Sequence, residues 1–323
     1  MQNISRRGFA ISAAAAGAAF GLDGPLEFIG SAFAQSNPSL LEKGFVKFKV
    51  GDAEVTQIYD GIWNRELQDG FVKNAALADV QAALKAAGLA ENIVPIPFTV
   101  TAVTIGGKTT LVDAGTGVPG QVQPSAGLAS AKNLAAAGID AGKVENIVMS
   151  HFHPDHISGL MAKDTNAELF PNATIHVSAP ELAWWTGPSV PQAGQGLANR
   201  IKATLGTWKN VKPFEGDKEV VPGIRSIATP GHTPGHTSYH VGSGSQQLIV
   251  QGDITNIPAL FVKNPGWHAV FDTDAPMAEA NRRKMLDRAI ADKATITGYH
   301  YGLPGAGTIA KDGNGYVFTA ISA

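Results

Sequence analysis

Four metal-capable side chains fall within six consecutive positions, His151-Phe152-His153-Pro154-Asp155-His156. The run follows the apolar stretch Val144 to Met149, so it is expected on a loop at the C-terminal end of a buried strand. Imidazoles and a carboxylate are costly to bury together unpaired. A lone histidine is more often a satisfied core or surface residue than a ligand, but this ordered group points to metal. One short loop cannot surround two ions. Further candidates follow strand-like runs: His232 in Thr229-Pro230-Gly231-His232, Asp253 in Val250-Gln251-Gly252-Asp253, and His300 in Thr297-Gly298-Tyr299-His300. The chain has 0 cysteines. Any metal site is therefore built from His, Asp or Glu without thiolate, and disulfides are excluded.

Composition narrows the class. With 323 residues, 44% hydrophobic and 16% charged, the chain can bury a sizeable core. A net charge of −2 gives no basic excess for a phosphate backbone or an anionic membrane, so neither nucleic acid nor membrane is an expected partner. The N-terminus reads as an address. Ser5-Arg6-Arg7-Gly8-Phe9 precedes a small-residue apolar run from Ala10 to Phe20. That run is shorter than the about 20 residues a membrane span needs. Ala32-Phe33-Ala34 has the form of a signal-peptidase site. The arginine pair resembles a twin-arginine export signal, which implies a leader at 1–34, a mature domain at 35–323 starting near Gln35, and a periplasmic or secreted destination.

Strand and helix patterns alternate along the rest. Hairpins are expected over Phe45 to Tyr59 around Gly51-Asp52, and over Thr99 to Val112 around Gly106-Gly107. Helices are expected at Asn74 to Ala87, Leu128 to Ala137 and Pro180 to Trp185, with the longest from Asp274 to Lys293, capped by Asp274. Val144 to Met149, Thr174 to Val177, Ile224 to Ala228, Thr237 to Val241, Gln247 to Val250 and Thr295 to Thr297 read as strands, with Tyr316 to Thr319 at an edge. No linker divides the chain. Periodicity alone yields one α/β domain.

The order HxHxDH, then GH, then GD, then a late His resembles the metallo-β-lactamase superfamily. The resemblance runs from about Phe45 to the C-terminus and implies a four-layer αββα sandwich. Asp113, in Leu111-Val112-Asp113-Ala114-Gly115, matches that family's first motif, an aspartate that orients the metal loop. Carried over by position, the resemblance implies one metal on His151, His153 and His232 and another on Asp155, His156 and His300, with Asp253 bridging. Zinc is the first expectation, with manganese, cobalt or iron acceptable to such ligands. Asp155 and Asp253 are then the catalytic carboxylates, acting with a metal-bridging hydroxide on an activated acyl or phosphoryl bond. His236 is expected to make a structural hydrogen bond, and His176, His240 and His268 to be structural or on the surface.

Gly115-Thr116-Gly117-Val118-Pro119-Gly120 also matches the GxGxxG nucleotide fingerprint, but a lone match is weak and Asp113 already fits the metal motif. Within the superfamily the chain resembles the exported methyl parathion hydrolase group and its relatives that open lactones such as dihydrocoumarin. The implied substrate is a small lactone or aryl ester, with phosphotriesters or β-lactams as alternatives and a non-catalytic metal-binding module as the other class. A homodimer is left open. Candidate pocket residues are Trp185, Phe261 and Trp267, with Trp184 and Phe271 nearby, since aromatic walls suit a lactone or aryl ring. Tyr299 and Tyr301 flank His300 as candidate donors to substrate. Asn256, Lys263 and His268 make the stretch after Asp253 more polar, which counts against phosphotriesters.

Overall fold

The computed structural model describes residues 38–117, 129–243 and 246–322. The expected leader at 1–34 lies outside those residues, as do Val118-Pro119-Gly120 and Leu128.

In chain order the strands are β1 (Phe45–Val50), β2 (Ala53–Glu66), β3 (Ile93–Ile105), β4 (Lys108–Val112), β5 (Asn146–Val148), β6 (Thr174–Ser178) and β7 (Val211–Phe214). Then come β8 (Glu219–Val221), β9 (Ile224–Ala228), β10 (Thr237–Ser243), β11 (Gln246–Val250), β12 (Thr295–Thr297), β13 (Ala306–Asp312) and β14 (Gly315–Ala320). The first seven form one sheet in sequential order, and the last seven form another. The helices are α1 (Pro38–Lys43), α2 (Leu77–Ala86), α3 (Ala129–Ala136), α4 (Pro154–Ile157), α5 (Ala179–Thr186), α6 (Gln195–Ala203) and α7 (Ala275–Ala291).

Alternation along the strands explains the layering, because successive side chains point to opposite faces. Val112 and Val148 join β10 and β11 residues such as Val241, Leu248 and Val250 in the core between the sheets. Their neighbours Leu111, Ile147 and Met149 face the other way, into a core shared with Leu84 of α2 and Leu134 of α3. On the second sheet Ile249 and Ile296 face out toward Met285, Leu286 and Ala289 of α7. Strands covered on both faces read as continuous apolar runs, as Ile147 to Met149 and Leu248 to Val250 do. The result is the expected helix–sheet–sheet–helix sandwich.

The Gly106-Gly107 turn has the φ values its hairpin needs, 58° and 80°. Asp274 caps α7 by accepting from the Met277 N–H at 3.0 Å. β14 lies at the edge of its sheet, as the pattern of Tyr316 to Thr319 predicts. Two strands are longer than their patterns. β2 continues past Tyr59 to Glu66, and β3 begins at Ile93 rather than Thr99. Pro95 and Pro97 mask the start of β3. They fit because β4 pairs with β3 only from Thr101 onward, so this part of β3 has a single neighbour. The polar α6, β7 with its Pro213, β8, the small-residue β13 and a π-turn at Pro258–Val262 carry no clear period, and the sequence does not mark them.

The sheets are joined by more than apolar contact. The buried Tyr239 hydroxyl of β10 donates to the Met149 carbonyl at 2.7 Å, and the Thr237 N–H donates to the Ser150 carbonyl at 2.9 Å. Both bonds reach the strand end that launches His151. Tyr239→Phe leaves that buried carbonyl without its donor and should cost about 1–3 kcal/mol. Urea unfolding should show a lower midpoint with an unchanged slope.

Candidate metal centre

Asp113 follows β4 with φ 63°, a left-handed conformation unusual for a side-chain-bearing residue but open to aspartate. Its carboxylate accepts from the Ser150 N–H, from Ser150 Oγ and from His156 Nδ1, at 2.7, 2.7 and 2.8 Å. This ties the end of β4 to the start of the His151 loop. Pro154 opens α4, where proline's missing N–H costs nothing, and the His153 carbonyl accepts from the His156 and Ile157 N–H groups. That single turn places Asp155 and His156 side by side.

Three strand ends and one loop bring the remaining candidates in. Gly231 approaches α7 so closely that a Cβ would sit 2.3 Å from the Ala278 nitrogen, which leaves no room for another residue before His232. At Gly252, with φ 59°, a Cβ would sit 2.7 Å from His236 Nε2, so only glycine lets the β11 end pass this close to that ring. His236 then accepts from the Asp253 N–H at 3.0 Å and meets Thr229 Oγ1 at 2.9 Å. It steadies the Asp253 loop, which is the kind of structural bond the sequence suggests for it. His176 meets Asn146, His240 meets Gln247 and His268 meets Glu279, all away from the cluster.

The cluster assembles as three overlapping groups of ligand-capable atoms: His151, His153 and His232; His151, His156 and Asp253; and Asp155, His156 and His300. His153 Nδ1 lies 2.9 Å from His151 Nε2 and 3.0 Å from His232 Nε2. Asp155 Oδ2 lies 3.4 Å from His156 Nε2 and 3.6 Å from His300 Nε2. Asp253 stands between the groups, 3.4 Å from His156, 3.5 Å from His232 and 2.8 Å from His300.

Hydrogen bonding fixes the tautomers. His156 Nδ1 faces the acceptor-only Asp113, His232 Nδ1 faces Asp272 Oδ1 at 2.9 Å, and His300 Nδ1 faces the Pro97 carbonyl at 2.8 Å. Each of these nitrogens must therefore carry a proton. Ser150 Oγ spends its own proton on Asp113, so His151 Nδ1, 2.9 Å away, must be the donor in that pair. That leaves Nε2 of all four histidines facing the cluster. His156 Nε2 and Asp253 Oδ1 are buried without a hydrogen-bond partner and stand 3.4 Å apart. Bonds of about 2.0–2.1 Å to a tetrahedral ion put neighbouring ligand atoms about 3.3–3.4 Å apart. The donor set and its spacing fit divalent metal.

Electrostatics agree. Burial, with neighbouring histidines, holds His151 well below the usual range and His153 at about 3, so both are neutral ligands at pH 7. Burial also opposes charge on His156 and His300, but Asp253 and then Asp155 outweigh it and raise both. Burial likewise disfavours the charged forms of Asp155 and Asp253, yet His156 and His300 hold both below their normal values. Protons on His156 and His300 balance the carboxylates, a charge that a bound cation would supply in their place.

Two buried carboxylates support the site without standing out in the sequence. Glu181 of α5 accepts from the Phe152 N–H and Trp185 Nε1 on one oxygen, and from Thr233 Oγ1 and the Gly235 N–H on the other, at 2.7–3.0 Å. It pins the His151 loop to the His232 loop. A carboxylate four residues before Trp185 on an apolar helix was its only sequence signal. Asp272, which orients His232, had no signal of its own.

The pocket candidates divide. Trp185 is buried, with its ring edge-on to His153 at 6.2 Å between centroids. Phe261 is fully buried in the π-turn, packed against Phe71 and under the Arg282 guanidinium. It is a core residue rather than a wall, because the π-turn rotates it inward. Trp267 is half-buried at the margin of that core. The Tyr299 hydroxyl donates to the Asp155 carbonyl at 2.6 Å, which removes it as a free donor to substrate. Tyr301 is 1% exposed. Lys263 pairs with Asp312 and His268 with Glu279, so neither adds charge to the site. An apolar cavity of about 370 Å³ adjoins His300, walled by Ile93, Pro95, Pro97, Ile257 and Pro258.

Glu181→Gln would set an amide N–H₂ against groups that all donate. It should lower stability by about 1–3 kcal/mol, and freeing the Trp185 indole should shift the tryptophan emission.

The chain is similar to known proteins. Residues 97–296 match the family model of the metallo-beta-lactamase superfamily. An N-acyl homoserine lactonase from Bacillus sp is 35% identical over 145 residues, 45% of this chain and 48% of that protein. One from Bacillus cereus is 33% identical over 41% of this chain and 43% of that protein. The chain thus aligns with about half the length of these curated relatives. Among solved structures, AidC, a dizinc quorum-quenching lactonase in complex with its product, superposes with a TM-score of 0.79 at 27% identity, covering 87% of this chain and 98% of that one. The hydrolase AbOPH superposes at 0.76 and 25% identity, with the same coverage. The matched span carries Asp113, the HxHxDH run, His232 and Asp253 at the positions just described, and the chain belongs to the metallo-β-lactamase superfamily.

Proposed function

We propose that this chain is a dinuclear metal-dependent hydrolase that opens lactone rings, with N-acyl homoserine lactones as the first substrate class to test. The observation that carries the proposal is the set of histidines whose outer nitrogens are pinned and whose inner nitrogens converge with Asp155 and Asp253. His151, His153 and His232 would hold one ion, and Asp155, His156 and His300 the other, with Asp253 between them. Zinc is the first expectation, since AidC is a dizinc enzyme. Bound there, two divalent ions would supply an activated water at neutral pH and a Lewis acid for the carbonyl oxygen.

The chain's own residues do the rest. Asp155 and Asp253 stand among the histidine nitrogens and would serve as anionic ligands. They act by position and charge rather than by proton transfer. Asp113 and Glu181 keep the two ligand loops in register. The apolar cavity beside His300 offers burial for the hydrophobic part of a substrate, and Trp185 closes the side next to His153. Water adds across the acyl C–O bond, and the ring opens to a hydroxy acid. The lactonase activity of the Bacillus relatives and of AidC favours lactones over aryl esters and phosphotriesters.

The proposal extends to export through the twin-arginine leader. N-terminal sequencing of protein recovered from outside the cytoplasm should then begin near Gln35; a chain retained inside with its first residues intact would contradict export.

Rates on an N-acyl homoserine lactone, dihydrocoumarin, methyl paraoxon and a cephalosporin, each with and without chelator, test the reaction. Chelator-sensitive turnover led by a lactone is expected. His153→Ala and Asp253→Ala should each lose at least a hundredfold in rate while remaining folded by circular dichroism. Near-normal turnover in either variant, or a paraoxon rate above both lactones, would sink the reading.

A further inference from the structure

Asp272 and Arg282 form an ion pair at 3.2 Å in which each side chain is 1% exposed. Stability alone gives little reason for such a pair, since well-packed apolar residues often replace buried charges at no loss. Its partners suggest another role. Asp272 Oδ1 accepts a hydrogen bond from His232 Nδ1 at 2.9 Å, and Oδ2 faces Arg282 and the Ala269 N–H. Arg282 also donates to the carbonyls of Ile254, Pro265 and Trp267 at 2.7–2.9 Å. Ile254 directly follows Asp253. One guanidinium on α7 therefore holds both ends of the 254–272 segment, which starts at Asp253 and ends at the carboxylate on His232.

The two proposed ion sites then have matching designs. His156, in the Asp155–His156–His300 set, is backed by Asp113. His232, in the His151–His153–His232 set, is backed by Asp272. His151 and His300 lean on a neutral hydroxyl and a neutral carbonyl. A carboxylate on the outer nitrogen fixes the ring plane and strengthens the inner nitrogen as a ligand, and losing such a partner typically costs 10–100-fold in metal affinity. We propose that Asp272, held by Arg282, is the positioning residue of the His151–His153–His232 ion site, as Asp113 is of the other. The inference rests on the two-ion reading above.

Chelator competition followed by elemental analysis tests it on the full chain loaded with zinc. The wild type should bind two ions. Asp272→Asn should release one ion at 10–100-fold lower chelator while the other stays at its wild-type point. General destabilisation would move both steps together, so a common shift, or no shift, in Asp272→Asn would overturn the proposal. If Asp272→Asn does not fold, Arg282→Lys serves. It keeps a charge beside Asp272 but gives up the planar fork, and should move the same step by a smaller factor; wild-type release of both ions would again overturn the inference. Glu54→Gln, which loses an exposed contact with Lys47, should leave both steps in place. A wild-type chain that binds no zinc would overturn this inference and the two-ion reading together.

Discussion

A dry interior that holds this many imidazoles and carboxylates persists only if every outward-facing polar atom has a partner and every inward-facing one shares a charge. Asp113, Ser150, Asp272, Glu181 and the Pro97 carbonyl meet the first condition. The histidine–carboxylate contacts around Asp253 meet the second in part, and leave His156 Nε2 and Asp253 Oδ1 without hydrogen-bond partners. The rest of the architecture follows from those demands. Two sheets pack face to face, and the loops leaving β4, β5, β9 and β11 meet at one end of the sandwich. The cross-sheet bonds from Tyr239 and Thr237 fix where the His151 loop begins relative to the second sheet.

Much of this is visible in the amino-acid order. The ligand candidates can be placed at strand ends because short apolar or β-branched runs precede them, such as Ile147 to Met149 before His151 and Leu248 to Val250 before Asp253. Gly231 and Gly252 precede their ligands for reasons of space that a sequence can hint at but not prove. Phe261 shows the limit from the other side. An aromatic residue after Asp253 invites assignment to a pocket, yet the π-turn buries it under Arg282. The early part of β3 is hidden by Pro95 and Pro97, whose tolerance depends on having a neighbour strand on one side only.

The supporting carboxylates were harder to read, for a physical reason. A ligand is recognised by its type and its company in the chain, whereas its orienting partner is defined by contact across the fold. Glu181 lies 30 positions beyond His151 and 51 before His232, and Asp272 lies 40 beyond His232. Arg282 did leave a trace. It falls on the buried stripe of α7 with Ala275, Ala278, Met285, Leu286 and Ala289, where a charge needs an explanation. A polar residue on an apolar stripe, near a ligand motif, is a better guide to such partners than the motif itself.

The central claim is that this cluster holds two divalent ions between the assigned ligand sets. Anomalous diffraction at the zinc edge, on crystals of the zinc-loaded chain, tests it most directly. The account predicts two peaks about 3.5–4 Å apart, one among His151, His153 and His232 and one among Asp155, His156 and His300, with Asp253 reaching both. A single peak, or peaks away from these residues, would contradict it.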